Sequence, residues 1–280
     1  MSRSISCNRW HGWRSAIACM ALVAILGGCS GVGTGGTGII PSSLSGKVAD
    51  GYLVNATVFL DKNGTYQWDG VEPSTTTDAN GAFTLNVDPA DVGRYPIVVL
   101  AIQGVTIDKD TGSAVTSSYL FSMPAAAVSG TANSNFISPL SSMVRELMET
   151  GKYTSMQQAM DALNTQMGLV PGTDVMADYL ASNNTTLHTT AQNMTILMGS
   201  QMSQILSTSG SITTVDVNRY RAMMGTMFAN MPSMMGSTAQ GAMTTLMGTM
   251  TTTMSNVPAT SAGQPFKNMS AAFRGGMMGK

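Results

Sequence analysis

The chain has 280 residues, enough for one or two domains. Only 10% of them are charged, with 14 Lys and Arg against 15 Asp and Glu. That balance supplies no basic patch for nucleic acid and excludes that class of partner.

Arg3, Arg9 and Arg14 lead into the apolar stretch Ala16 to Leu26, which closes on Leu26-Gly27-Gly28-Cys29. A basic flank, a short apolar run and a small-residue end form the pattern of a cleaved secretory signal. The run is shorter than the ~20 residues a spanning helix needs, so an uncleaved anchor is the weaker alternative. Leu26-Gly27-Gly28-Cys29 resembles the lipobox of bacterial lipoprotein precursors. The resemblance implies removal of residues 1–28, a diacylglycerol and an N-acyl chain on Cys29, and attachment to a lipid bilayer. Stable anchoring takes more than one chain, each contributing about 0.8 kcal/mol per buried CH₂. Ser30, where such proteins carry Asp for inner-membrane retention, favours the outer membrane, with a periplasmic or a surface-facing orientation both open. Cleavage removes Cys7 and Cys19 and leaves no disulfide. It also removes three arginines, so 14 basic residues become 11 against 15 acidic, a net of −4.

Residues 29–44 are glycine-rich and are expected to form a flexible tether with a mean reach of roughly 20 Å. From residue 45 to about 130 the pattern is β. Ala56 to Leu60 and Gly81 to Val87 alternate at period two, and Tyr95 to Ile102 is a nearly continuous β-branched run. Asp61-Lys62-Asn63-Gly64, Asp78-Ala79-Asn80-Gly81 and Asp108 to Gly112 separate them as turns. Short strands between turn signals predict a small sandwich. From 135 to 257 the period becomes helical. Ser138-Pro139 predicts an N-cap followed by proline at the first helical position, and Thr154 with Gln157 a capping box. Met156, Met160, Leu163 and Met167 recur at spacings of three and four before Gly168. The rhythm continues through Leu187, Ala191, Met194, Met198 and Ile205, through Val217 to Met231, and through Met243 to Met254. Five or six helices are expected, with residues 258–280 as a flexible tail. The fold class is therefore α+β as separate domains, an N-terminal β-sandwich and a C-terminal all-α helical bundle.

The loop after residue 60 is the best candidate site. Oxygen-bearing side chains fall at positions one, three, five, nine and twelve (Asp61, Asn63, Thr65, Asp69 and Glu72), with the Gln67 carbonyl available at position seven. Ca²⁺ takes six to eight oxygens, and this spacing can wrap one ion. Tyr66 stands where such a loop places glycine, and a solvated acidic loop is the competing reading. Asp50-Gly51-Tyr52-Leu53, Ala56 to Asp61, Glu72-Pro73 and Thr77-Asp78-Ala79-Asn80-Gly81-Ala82-Phe83 together resemble the transthyretin-like or carboxypeptidase-regulatory-like modules of bacterial surface proteins, in particular the B-type repeats of adhesins. The resemblance covers roughly residues 45–127. It implies a prealbumin-like sandwich, Ca²⁺ at Asp61, Asn63, Asp69 and Glu72, and a spacer or binding role.

Thirteen of the 25 methionines lie from Met223 onward. Their spacing suits a helical core, where Met is an adaptable filler. Thioether sulfur also selects Cu(I), and the doublets Met223-Met224, Met234-Met235 and Met277-Met278 are expected each to leave one sulfur outside the core. A Met-rich surface that docks a partner is a third reading. His188 is the one histidine after Cys29 and is expected at the surface or in a cap. Asp108 and Asp110 fit a polar turn, and Trp68 fits either an anchor for its loop or a stacking surface. No nucleophile elbow, phosphate loop or zinc helix occurs. These features predict a non-enzymatic envelope module whose partner is another envelope or surface protein. A Cu(I)-binding periplasmic protein is the alternative, and an enzyme acting on an envelope polymer would need a carboxylate pair.

Overall fold

The computed structural model describes residues 42–209, 212–235 and 240–259, all within one compact unit. The expected signal peptide, Cys29, most of the tether and most of the tail lie outside these residues. Among the described residues no helix is long and apolar enough to cross a membrane.

The fold is mixed α and β, with several small sheets and six helices among the described residues. Strands β1 (Ser42–Val48), β5 (Ala82–Val87) and β10 (Asn135–Ile137) form one sheet in the order β10-β1-β5. β1 runs antiparallel to β5, with Leu44 opposite Leu85, and parallel to β10. A second sheet is antiparallel throughout: β4 (Ser74–Thr76), β3 (Thr57–Leu60), β6 (Ile97–Ala101) and β9 (Tyr119–Met123), in that order. Ile97, Val98 and Val99 on consecutive positions of β6 are all fully buried, as the continuous apolar run requires of a strand covered on both faces. β2 (Leu53–Val54), β7 (Ile107–Asp108) and β8 (Ser113–Ala114) make a small ribbon.

Helix α1 (Pro139–Glu149) is the centre of the molecule. The Ser138 side chain accepts from Ser141 N–H while the Ser141 hydroxyl accepts from Ser138 N–H, a reciprocal cap with Pro139 just inside it. Such a cap contributes about 1 kcal/mol. Every residue from Pro139 to Leu147 is buried, because α1 packs on β9 and β10 and also against α2 (Met156–Met167), α3 (Thr185–Gln201) and α4 (Val217–Ala229). The short α5 (Met231–Met234) and α6 (Gln240–Ser255) close the helical side.

This arrangement corrects several expectations. Strands and helices share one continuous buried core, with α1 packed on strands and on helices alike. β1 begins at Ser42, inside the expected tether. Its Ser-Ser-Leu-Ser-Gly-Lys-Val sequence hides a strand whose Leu44 and Val48 are fully buried. α3 ends at Gln201, and β11 (Leu206–Ser209) and β12 (Ile212–Val215) form a hairpin where the helical rhythm was expected to continue. Ser155, not Thr154, caps α2. Met223 and Met224 are both fully buried, so that doublet leaves no sulfur outside the core.

Candidate functional site

The loop between β3 and β4 holds all six predicted ligand residues. Asp61 directly follows the buried end of β3 and is itself buried. Its Oδ1 accepts from Thr65 N–H (2.9 Å) and its Oδ2 from Arg145 Nη2 (2.9 Å). The Asn63 side-chain oxygen accepts from the Thr65 hydroxyl (2.6 Å), which also lies 3.3 Å from the Gln67 carbonyl. The Asn63 amide donates to Asp69 Oδ2 (3.3 Å), and Asp69 Oδ1 accepts from Val71 and Glu72 N–H. Glu72 Oε1 accepts from Lys62 N–H (2.7 Å) and Asn63 N–H (3.3 Å). The loop thus folds back on itself through the residues that spacing alone had selected. Gln67 contributes its carbonyl there, while its side chain accepts from Val215 N–H (3.4 Å) and ties the loop to β12. Trp68 acts as an anchor, donating to the Glu72 carbonyl (3.1 Å) while its ring is partly exposed.

Two features bear on a cation. Glu72 is 8% exposed, and its Oε2 is buried with no hydrogen-bond partner. Burial pushes the Glu72 carboxyl up to about 7, and the charges of Asp61 and Asp69 push the same way against the Lys62 and Asn63 N–H groups. A divalent ion would satisfy that oxygen and offset the repulsion. The second feature is Tyr66, whose backbone takes the left-handed conformation (φ 60°) that a glycine would supply at position six. A non-glycine residue there costs about 1–2 kcal/mol. The Tyr66 side chain is buried, and burying an aromatic ring contributes about 1.5–3 kcal/mol in return. On the other side, no three or more Asp, Glu, His or Cys side chains among the described residues are gathered to hold a metal by themselves. An ion in the loop therefore depends on Asn63, Thr65 and the Gln67 carbonyl as well.

Sequence reasoning missed what lies beneath the loop. Arg145, Glu146 and Glu149 of α1 meet Arg221 of α4 around the Tyr66 ring. Arg145 Nε donates to Glu149 Oε1 (2.8 Å), and its guanidinium lies 3.8 Å from the Tyr66 ring centroid. Arg221 Nε is 3.1 Å from Glu146 Oε2, and Arg221 also pairs with Glu149. The Tyr66 hydroxyl donates to Glu146 and accepts from Arg221 Nη2 (3.2 Å). Arg145, Glu146 and Arg221 are all buried. Three carboxylates against two guanidinium groups fasten the loop to the helices. An open cleft of about 590 Å³ runs beside it, bounded by Asn63, Tyr95, Arg145 and Glu149.

A second carboxylate group gathers where the turn at Asp50-Gly51 meets the turn between β7 and β8. A methyl group on Gly51 would stand 2.5 Å from Asp108 Oδ1 and 2.6 Å from Asp110 Oδ2, so a larger residue there would push these carboxylates aside. Asp110 Oδ2 lies 2.6 Å from His188 Nε2 and accepts from Gln192 Nε2 (2.8 Å), both on α3. His188, expected at the surface or in a cap, is thus half-buried, and its ring also stacks on Tyr179. Asp108 and Asp110 do form the polar turn that the sequence suggests. Asp50 lies beneath them, 5% exposed, with its Oδ1 buried and without a hydrogen-bond partner. Burial pushes its carboxyl up to about 7, with the Asp108 charge next. A cavity of about 650 Å³ opens over Asp50, with Asp108 and Tyr119 on one wall and α3 on the other.

Searches against protein-family models, curated proteins and solved structures return no match to this chain. Its function is therefore argued from these two places. Among the methionines, Met223, Met224, Met227, Met231, Met234, Met250 and Met254 are fully buried and serve as core.

Proposed function

We propose that the chain is an exported envelope lipoprotein, held at the outer membrane by acylated Cys29, that works by binding and not by catalysis. In this reading the strands form a prealbumin-like module whose loop from Asp61 to Glu72 holds one Ca²⁺, and the Met-rich helices are its support. The presented surface engages another envelope or surface protein. The observation that carries the calcium reading is Glu72 Oε2, a buried carboxylate oxygen without a partner, in a loop that also turns Asp61, Asn63, Thr65, Gln67 and Asp69 on one another. Oxygen ligands of that number and kind suit Ca²⁺. The buried ion cluster supports a mechanical role for the loop, since an ion bound there is coupled through Asp61 and Arg145 to the central helix. The test is thermal melting of the purified chain with Ca²⁺ and with EDTA. Ca²⁺ raises the Tm of the wild type, and Glu72→Gln abolishes the rise. A Tm indifferent to both additions removes the ion from the account.

A further inference from the structure

The cavity above Asp50 has no part in the calcium loop. Its floor is an acid taken almost wholly out of water, with one carboxylate oxygen lacking any partner. Buried carboxylates are normally hydrogen-bonded or paired with a cation. Here the protein supplies the Thr195 hydroxyl and a main-chain hydrogen bond but no cation: no Lys, Arg or His lines the cavity among the described residues. The nearby cations are engaged elsewhere. Lys109 donates to the Ala79 carbonyl (3.1 Å), Lys47 to the Tyr52 hydroxyl (3.1 Å), and His188 is held by Asp110. Asp108 adds a second carboxylate, whose Oδ1 accepts the Asp110 N–H (2.9 Å) and which Thr111 also approaches as a donor, with no cation paired to it among the described residues.

We infer that this cavity is a binding site for a small organic molecule carrying a protonated amine, with the ammonium group seated between Asp50 and Asp108. Three features select that chemistry over a bare metal ion. The carboxylates are not gathered into a three-membered metal cluster. An ammonium group, with three donors, needs only a few well-placed acceptors. At about 650 Å³ the space is far larger than an ion requires and falls within the range of small-molecule pockets. The remaining walls suit the rest of such a molecule. Ser113 and Gln192 offer polar contacts, Tyr119 an aromatic face, and Ile196 with Met247 an apolar edge at which Ile196 stays 55% exposed. Alkyl diamines and amino sugars share the ammonium and differ in what surrounds it, so both are probes.

The experiment is isothermal titration of the full chain with cadaverine and with glucosamine, in the presence and in the absence of Ca²⁺. Pentane-1,5-diol and N-acetylglucosamine are the uncharged counterparts. Saturable binding of at least one amine is expected, at least tenfold tighter than its uncharged counterpart. It weakens at least tenfold in Asp50→Asn and in Ile196→Trp, which fills the mouth from an exposed position. If Asp50→Asn does not fold, Ile196→Trp carries the test alone. The better of the two amines identifies the source. No binding of either amine, equal binding of an uncharged counterpart, or unchanged binding in the variants overturns the inference. Amine binding that persists without Ca²⁺, in a chain whose melting ignores Ca²⁺, separates this site from the loop and leaves it standing when the calcium reading falls.

Discussion

Replacing Arg145 by leucine tests whether the ion cluster under the loop holds the β and α halves together. Leucine keeps most of the apolar volume of the side chain and removes the charge. In the wild type, Arg145 is 2% exposed, donates to Asp61 and Glu149 at 2.9 and 2.8 Å, and lies against the Tyr66 ring. Its loss leaves the buried Asp61 carboxylate without a counter-charge. Breaking a buried pair by removing one partner costs about 3–5 kcal/mol, because the surviving charge stays out of water. For a unit of this size that lowers Tm by roughly 6–20 °C. Denaturant unfolding and calorimetry measure the loss. In the double variant with Asp61→Asn the stranded charge is gone, so the loss is smaller than the sum of the two single losses, with a coupling of at least about 1 kcal/mol. A loss under about 1 kcal/mol in Arg145→Leu, or strict additivity in the cycle, would refute the reasoning.

Three further outcomes follow from the same geometry. The Asp50 carboxyl is raised from 3.8 to about 7 in the folded chain, so the fold binds its proton more tightly than the unfolded state does, and the associated stability is complete below about 4 and lost as pH rises to about 7. The shift corresponds to about 4 kcal/mol at most; Asp50→Asn flattens this fall in urea unfolding at pH 5 and pH 8, and an unaltered pH profile contradicts the assignment. Tyr66→Phe keeps the ring and removes the hydroxyl that Glu146 and Arg221 share, which costs about 1–3 kcal/mol by denaturant midpoint; a neutral substitution means the hydroxyl is not part of the cluster. Met224→Ala deletes a fully buried core side chain and costs about 2–5 kcal/mol, and a change near zero places Met224 outside the core.

The parts of the fold that were legible in the sequence are those set by local pattern. Alternation located β3 and β5, the β-branched run located β6, and Ser138-Pro139 and Gly168 marked a helix start and a helix end that the structure keeps. β1 escaped notice because serine and glycine mask its alternation. Gly46 is small there because the Asn135 main chain of β10 passes directly against it. The β11–β12 hairpin was obscured by a helical rhythm of apolar residues that reaches Ile205. Of the candidate site, the spacing from Asp61 to Glu72 was visible, because one loop contains it. Its dependence on Arg145 and Arg221 was not, since those residues are 84 and about 155 positions from their loop partners. The Asp50 cavity was hidden for the same reason: Asp50, Asp108 and α3 are brought together only by the packed unit. A lone Asp-Gly before a strand, with two further carboxylates in a later turn, was the signal present in the chain. Its acids could equally have served as ordinary turn residues.

The most direct test of the calcium reading uses Trp68, the only tryptophan after Cys29 and a hydrogen-bond neighbour of Glu72. Excitation of Trp68 in the presence of Tb³⁺, a luminescent stand-in for Ca²⁺, should give sensitised lanthanide emission that saturates, is displaced by Ca²⁺, and disappears in Trp68→Phe and in Glu72→Gln. Absence of sensitised emission, or emission that Glu72→Gln leaves intact, contradicts the placement of an ion in this loop.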